Sequence, residues 1–323
     1  MVETRLEART LPEPPGIDFR PATEADLPET NRLWRESIDA YLQPMGFPPL
    51  PSDNPGLRRL HGHTLATDPA RFMIAERQGR LGRRRTVAFG SAVERGELWF
   101  LSMLFVEPGE QARGLGRALL ARMLPDDPGR ILATCTDSAQ PISNGLYASL
   151  GMVPRMPLFN LIGRPRAGWE PPALPGGISA ARVQPGDGDV LDSTQQAELD
   201  AFDAPLLGFE HPADHAFVLH ERPWLFAYRD SERLVGYGYT SEVGRIGPIA
   251  VLDAELLAPV FAHLLTAVEP RGASSVWLPG AADGAFRAAL GAGLRIDGFP
   301  TIACWSRPFA DFTRYVPTSP GLI

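Results

Sequence analysis

The chain contains no lysine, so all 31 of its basic residues are arginines. A Walker A loop must close on Gly-Lys-Ser/Thr and is therefore excluded; with Arg, Ala, Gly and Pro so abundant, the absence reads as nucleotide bias in the gene. Cysteine is nearly missing too. Cys135 and Cys304 are too few and too far apart for a disulfide framework or a metal spacing, and each sits in an apolar, strand-like run that suits a buried free thiol. No apolar run reaches membrane-spanning length, and the start shows no charged segment leading into an apolar one, so a cytoplasmic protein with no membrane partner is expected. Nor is there an excess of positive charge. A formal net charge of −7 and a pI near 5.5 argue against a nucleic-acid surface, and the arginine-rich stretch at 80–85 reads as a solvated hairpin turn.

What is present is enough for two domains: 323 residues, 44% of them apolar. Residues 1–16 are polar and proline-rich and read as a flexible arm. A short strand at 17–21 leads to a helix capped by Thr23 or Asp26 and running to Tyr41, with Leu27, Trp34, Ile38 and Tyr41 on one face. A proline-rich loop follows, then a surface helix at 56–66 with His61 and His63. Strands at 72–80 and 86–93 form a hairpin, and Leu98 to Val106 is a strand buried on both faces. Leu115, Leu119 and Met123 make the stripe of an amphipathic helix. A strand at 130–136, a helix carrying Ile142, Leu146 and Leu150 and ending at Gly151, and strands at 152–162 complete the first half.

Residues 166–177 form a Pro/Gly-rich linker. The same order of elements then begins again over 178–310, with Gly293 where Gly151 stood, and residues 311–323 are too apolar for a free tail and should dock on the body.

The chemistry centres on the passage from strand to helix at Glu107 to Gly116. The first backbone N–H groups of a helix lack intrahelical partners and, with the positive end of the helix dipole, suit an anion. Gly114 and Gly116 let the backbone approach it, and Arg113 and Arg117 add charge, so a diphosphate is the expected ligand. A dinucleotide fingerprint would need a glycine at position 119, which is leucine. What remains is Gln111-x-x-Gly114-x-Gly116, preceded by Leu104-Phe-Val106-x-Pro108. This resembles the acyl-CoA loop of the GCN5-related N-acetyltransferases, and the match of elements covers roughly residues 17–165.

The resemblance implies an α/β fold, in detail an α+β mixed sheet, in two tandem domains of this family. Each would have a mixed, largely antiparallel central sheet flanked by helices, with the catalytic domain at 17–165 and a degenerate one at 178–310. It implies acetyl-CoA as cosubstrate with no metal, held by Leu104, Phe105, Val106, the loop residues Gln111, Ala112, Arg113, Gly114, Leu115, Gly116, Arg117 and Ala118, and further along by Ser143 and Asn144. The acceptor would be a small-molecule amine, or a peptide N-terminus or side chain, and the assembly a monomer or homodimer. Tyr147, in Leu146-Tyr147-x-x-x-Gly151-Met152, matches the family's tyrosine acid. Gln140 and Ser143 depart from its asparagine and alanine. For the base, the carboxylates beside the central strands are candidates, Glu97 first, with Glu94 and Asp137 as alternatives and His61 or His63 as proton shuttles. In the second half the loop is gone, and Asp253 stands as a helix cap where the anion would sit. A non-catalytic acyl-CoA sensor and an interaction protein with a relic loop are the other readings.

Overall fold

In the computed structural model, residues 14–79, 82–186 and 190–323 are described. Most of the expected arm, residues 1–13, and residues 80 and 81 of the expected arginine-rich turn lie outside them. Arg84 and Arg85 are not turn residues but already lie in a strand, opposite Gln78 and Arg77. Contacts divide the chain into two units, residues 1–134 with 145–152, and residues 135–144 with 153–323.

In the first unit, β1 (Ile17–Pro21), β2 (Phe72–Gln78), β3 (Arg84–Arg95) and β4 (Leu98–Val106) are successive antiparallel neighbours. β5 (Ile131–Asp137) joins β4 in parallel, as a strand reached through a crossover helix must. That helix is α3 (Leu115–Met123), and α1 (Leu27–Leu42) and α2 (Pro55–Thr67) precede the hairpin. Asn54 caps α2 by accepting from the Leu57 N–H. Close packing of α3 on the sheet depends on Gly90 of β3: a Cβ there would lie 2.6 Å from Met123 Sδ. The indole of Trp99 adds a tie from β4, donating to the Met123 carbonyl at 3.0 Å.

The face of α1 differs from expectation. Thr30, Leu33 and Ser37 are its buried residues, while Leu27, Trp34, Ile38 and Tyr41 are only partly covered. The buried polar groups have partners: Thr30 hydrogen-bonds His61 Nδ1 at 2.9 Å and Ser37 donates to the Val106 carbonyl at 3.1 Å. Buried hydroxyls interrupt the apolar period, which is why periodicity alone chose the neighbouring face.

Asp26 begins no cap bond to its own helix. It accepts from the Thr23 N–H at 2.8 Å and from Arg20 at 2.8 and 2.6 Å, and Arg20 also reaches Glu76 at 2.7 Å. The Arg20 guanidinium holds the Asp26 carboxyl down at about 2. A depressed carboxylate contributes stability that is present above its unfolded pKa, roughly 3.9, and is lost as pH falls through the folded value. Acid titration of the melting temperature should therefore show a loss between about pH 4 and pH 2 that is diminished in Asp26→Asn; identical acid profiles for the two proteins would contradict it.

The second unit repeats the order. β7 (Ile178–Val183), β8 (Trp224–Asp230), β9 (Arg233–Thr240) and β10 (Arg245–Val251) are antiparallel neighbours, and β11 (Ser274–Pro279) is parallel to β10. Helices α5 (Ser193–Leu207) and α6 (Pro212–Leu219) precede the β8–β9 hairpin, and α7 (Ala254–Ala267) crosses from β10 to β11. The repeat extends to single residues. Gly238 lies opposite Ile249, as Gly90 lies opposite Leu104, and a Cβ there would fall 2.4 Å from Leu264 Cδ1 of α7. α4 (Pro141–Ser149) and α8 (Asp283–Ala292) are each followed by a left-handed glycine, Gly151 at φ 89° and Gly293 at φ 101°, the usual way of ending a helix on an open carbonyl.

β6 (Val153–Gly163) closes the first half in sequence, yet it lies in the second unit, antiparallel to β11 and to β13 (Thr301–Trp305), with β12 (Arg295–Ile296) also on it. The expected linker is a strap on this unit: the Arg166 N–H donates to the Ala292 carbonyl at 2.7 Å, Arg164 Nε donates to the Gly272 carbonyl at 2.6 Å, and Trp169 packs on the core.

Candidate functional site

β4 is paired unequally on its two sides. β3 accompanies it along its whole length, but β5 pairs only with Leu98 to Leu101, and the Thr134 hydroxyl closes that pairing by donating to the Leu101 carbonyl at 2.9 Å. At the parting point β4 carries a bulge. Leu101 opposes Ala92 and Met103 opposes Ser91, leaving Ser102 as the extra residue. From 102 to 106 no strand among the described residues pairs with β4 on the β5 side. The next N–H, that of Glu107, donates to Val87 of β3, so the Val106 carbonyl turns the other way, where it accepts from Ser37 and from Gln111 Nε2 at 3.0 Å. In extended chain the N–H of a residue points to the same side as its carbonyl, which turns the Val106 N–H, and by period two that of Leu104, toward the open edge.

The loop beyond is anchored from beneath. Pro108–Glu110 forms one 3-10 turn, and Glu110 is 7% exposed, gripped by Arg77 at 2.6 and 2.5 Å and by Arg113 at 3.2 Å. The Arg77 hydrogen bonds hold its carboxyl below the usual range. Arg113 thus spends part of its charge on Glu110. Glu110 itself was missed in the sequence, where a loop glutamate beside the motif carries no signal of burial; only its arginine partner 33 residues earlier reveals the anchor.

Ala112 and Gly114 both take left-handed backbone, φ 62° and 79°, and Gly114 is the N-cap of α3. The Ala118 N–H makes the first helical bond, to the Gly114 carbonyl at 2.9 Å. By helix geometry the N–H groups of Leu115, Gly116 and Arg117 have no carbonyl of their own helix to reach. Gly114, Gly116 and Arg117 are exposed or half-exposed, and Leu115 and Ala118 turn into the core. Anion-binding N–H groups and an open strand edge therefore succeed one another along one run of chain.

The other expected residues lie as follows. Tyr147 of α4 belongs to the first unit and is 5% exposed; its carbonyl accepts from Leu150 and Met152 as the helix ends. Ile142, expected on the same apolar stripe, is instead 65% exposed. Ser143 is half-buried, and Asn144 donates its amide to the carbonyls of Asp137 and Gln140 at 3.0 and 2.8 Å, which ties down the turn into α4. Glu97 is exposed in the turn before β4, at the far end of a nine-residue strand and so about 30 Å from the loop at a rise of about 3.3 Å per residue. Glu94 pairs with Arg71 at 3.2 Å. Asp137 is raised to about 6 by burial.

His61 is not a surface residue. It is wholly buried, packed edge-on against Phe72 and Phe89, and burial lowers its pKa to about 3, so it is not poised to take a proton near neutrality. His63, two residues on, is half-buried.

In the second unit the corresponding edge is filled. β10 pairs with β11 only at Arg245 and Ile246, and carries its own extra residue between Ile246 and Ile249. There the chain's last strand, β14 (Tyr315–Val316), lies antiparallel on Ala250 and Ile249, and the Val251 N–H donates to the Arg314 carbonyl at 3.0 Å. Asp253 caps α7 by accepting from the Glu255 N–H at 2.9 Å. A strand occupies the slot, and a carboxylate stands at the helix start.

Residues 32–152 match the acetyltransferase (GNAT) family, and the chain as a whole has a mixed α/β fold like that of tandem GNAT proteins. Among solved structures, a Pyrococcus horikoshii protein classed as an acetyltransferase aligns over 97% of this chain and 98% of its own, at TM-score 0.71 and 12% identity. A GCN5-related N-acetyltransferase from Sphaerobacter thermophilus covers 94% and 100% of the two chains at TM-score 0.56 and 20% identity. A tandem GNAT protein from the clavulanic acid biosynthesis pathway covers 90% and 99%, at TM-score 0.52 and 16% identity. At these identities the likeness is one of fold. No curated protein sequence matches the chain.

Proposed function

We propose that the chain is an acetyl-CoA-dependent N-acetyltransferase whose one working site lies in the first half, in a catalytic domain at 17–165, while the domain at 178–310 serves architecture. The observation that carries this reading is the β4 edge, unpaired by β5 from Ser102 to Val106 and running directly into the glycine-bearing start of α3. The pantetheine arm is itself amide-bearing and extended, so it lies along that edge as an added strand. The diphosphate meets the N–H groups of Leu115, Gly116 and Arg117, with Arg113 and Arg117 nearby.

Direct attack by the acceptor amine on the thioester needs the carbonyl polarised, the ammonium proton removed and the thiolate protonated. Backbone N–H groups of Leu104 to Val106 supply the first and Tyr147 the last; Glu97, at the far end of β4, is not carried into this scheme. The competing reading, a non-catalytic acyl-CoA sensor, draws on the same loop and is favoured by the burial of Tyr147, which suits a packing role. Release of free thiol from acetyl-CoA, measured against a panel of small amines and peptide N-termini, separates them. Amine-dependent release is expected; binding without release for every acceptor class would leave the sensor.

A further inference from the structure

The second unit contains a buried polar cluster that the acetyl-transfer reading does not use. Asp203 comes from α5, His211 is the residue before α6, and His215 lies one turn into it; all three are at most 2% exposed. Both imidazoles direct Nε2 at one carboxylate oxygen, Asp203 Oδ2, at 3.1 Å from His211 and 2.9 Å from His215. One donor atom from each residue lies within 4.8 Å of the other two. Nitrogen and oxygen ligands each about 2.0–2.2 Å from a divalent ion stand roughly 3–3.5 Å from one another in octahedral or tetrahedral arrangements; the two nitrogen–oxygen distances lie close to that spacing, and the two nitrogens lie within 4.8 Å of each other.

The outer partners decide how the rings are protonated. His215 Nδ1 is 2.8 Å from the Tyr239 hydroxyl, Tyr237 donates to the other oxygen of Asp203 at 2.8 Å, and His211 Nδ1 is 3.7 Å from a carboxylate oxygen of Asp214, itself buried. If hydrogen bonds alone held the cluster, both rings would need a proton on Nε2 to serve the single oxygen. A neutral His211 would then turn an Nδ1 lone pair toward the Asp214 carboxylate at 3.7 Å, where that Nδ1 has no hydrogen-bond partner, a mismatch relieved only by a second proton on the ring or by a cation on Nε2. With a cation among the three inner atoms, both protons move to Nδ1, where His211 faces Asp214 and His215 faces Tyr239. Each ligand then has an outer group on its second polar atom, the arrangement that orients metal-bound histidines. The Tyr315 hydroxyl, buried without a partner and in the field of Asp203 and Asp214, completes the polar lining from β14.

We propose that Asp203, His211 and His215 bind one divalent transition-metal ion of the zinc class. Two imidazoles and a carboxylate suit zinc and its neighbours better than calcium or magnesium. Because the ligands are closed off from solvent, the ion is a structural staple of α5 to α6 and is independent of the acetyl-CoA site.

The test uses the intact chain stripped with chelator. Zn²⁺ should bind with one equivalent per chain and raise the melting temperature, and Co²⁺ should give visible ligand-field bands of nitrogen–oxygen ligation at the same stoichiometry. His215→Gln should lose these signals, and Tyr239→Phe, which leaves all three ligands in place, should weaken Zn²⁺ affinity about 10–100-fold; acetyl-CoA affinity should stay unchanged in both. If His215→Gln does not fold, the wild-type Co²⁺ spectrum and Tyr239→Phe carry the test. Absence of any bound equivalent in the wild type, or unchanged Zn²⁺ affinity in the variants, would overturn the proposal.

Discussion

Replacing Tyr147 by phenylalanine should lower kcat by about 10²–10⁴-fold, the usual worth of a positioned acid or base. A tyrosine hydroxyl can pass its proton to a departing thiolate. The substitution removes one hydroxyl and keeps the ring, whose 5% exposure shows that it also packs. Acetyl-CoA affinity and melting temperature should therefore change little. Turnover at the wild-type rate would reduce Tyr147 to packing, and loss of folding or of acetyl-CoA binding would make the hydroxyl structural and send the search for the acid elsewhere.

A second large effect is expected at Gly116. A Cβ built there meets only Val106 Cγ2, at 3.5 Å, an ordinary contact. A small side chain is therefore accommodated by the protein itself. The two further methyl groups of Gly116→Val, however, have to press on Val106 or stand before the helix N-terminus, where the diphosphate would sit. Acetyl-CoA binding should be lost while the melting temperature stays near that of the wild type, since valine is no worse a helix former than the glycine it replaces. Gly114 would be a poorer probe. It takes left-handed backbone at φ 79°, so any replacement strains the turn, by about 1–2 kcal/mol, and confounds fold with binding.

Local signals carried much of the architecture. The apolar run ending at Val106, the glycines at 114 and 116 and the stripe at Leu115, Leu119 and Met123 mark a strand, a loop and a helix, which the structure forms as β4, a turn and α3. Asp253 was legible as a cap because capping is a matter of two or three residues. What escaped were relations over long separations. Nothing in residues 153–163 says that this strand pairs with 274–279 and 301–305, and nothing in Tyr315 and Val316 says that they occupy the β10 edge. The 178–310 repeat was visible only as an order of elements, whereas the shared glycines Gly90 and Gly238, and the shared bulge, emerge once the register is known. His61 was read as exposed because a helix with mixed polarity hides which polar residue has a buried partner, here Thr30. The pair His211 and His215 had a signal, four-residue spacing at a helix start, but its carboxylate comes from a different helix.

The central claim is that one half of this repeat binds acetyl-CoA and the other cannot, because its strand edge is filled by β14 and its helix start is held by Asp253. Calorimetric titration of acetyl-CoA into the intact chain tests it most directly. The account predicts one site per chain, abolished by Gly116→Val and indifferent to Asp253→Asn. Two equivalent sites, or a single site that survives Gly116→Val, would contradict it.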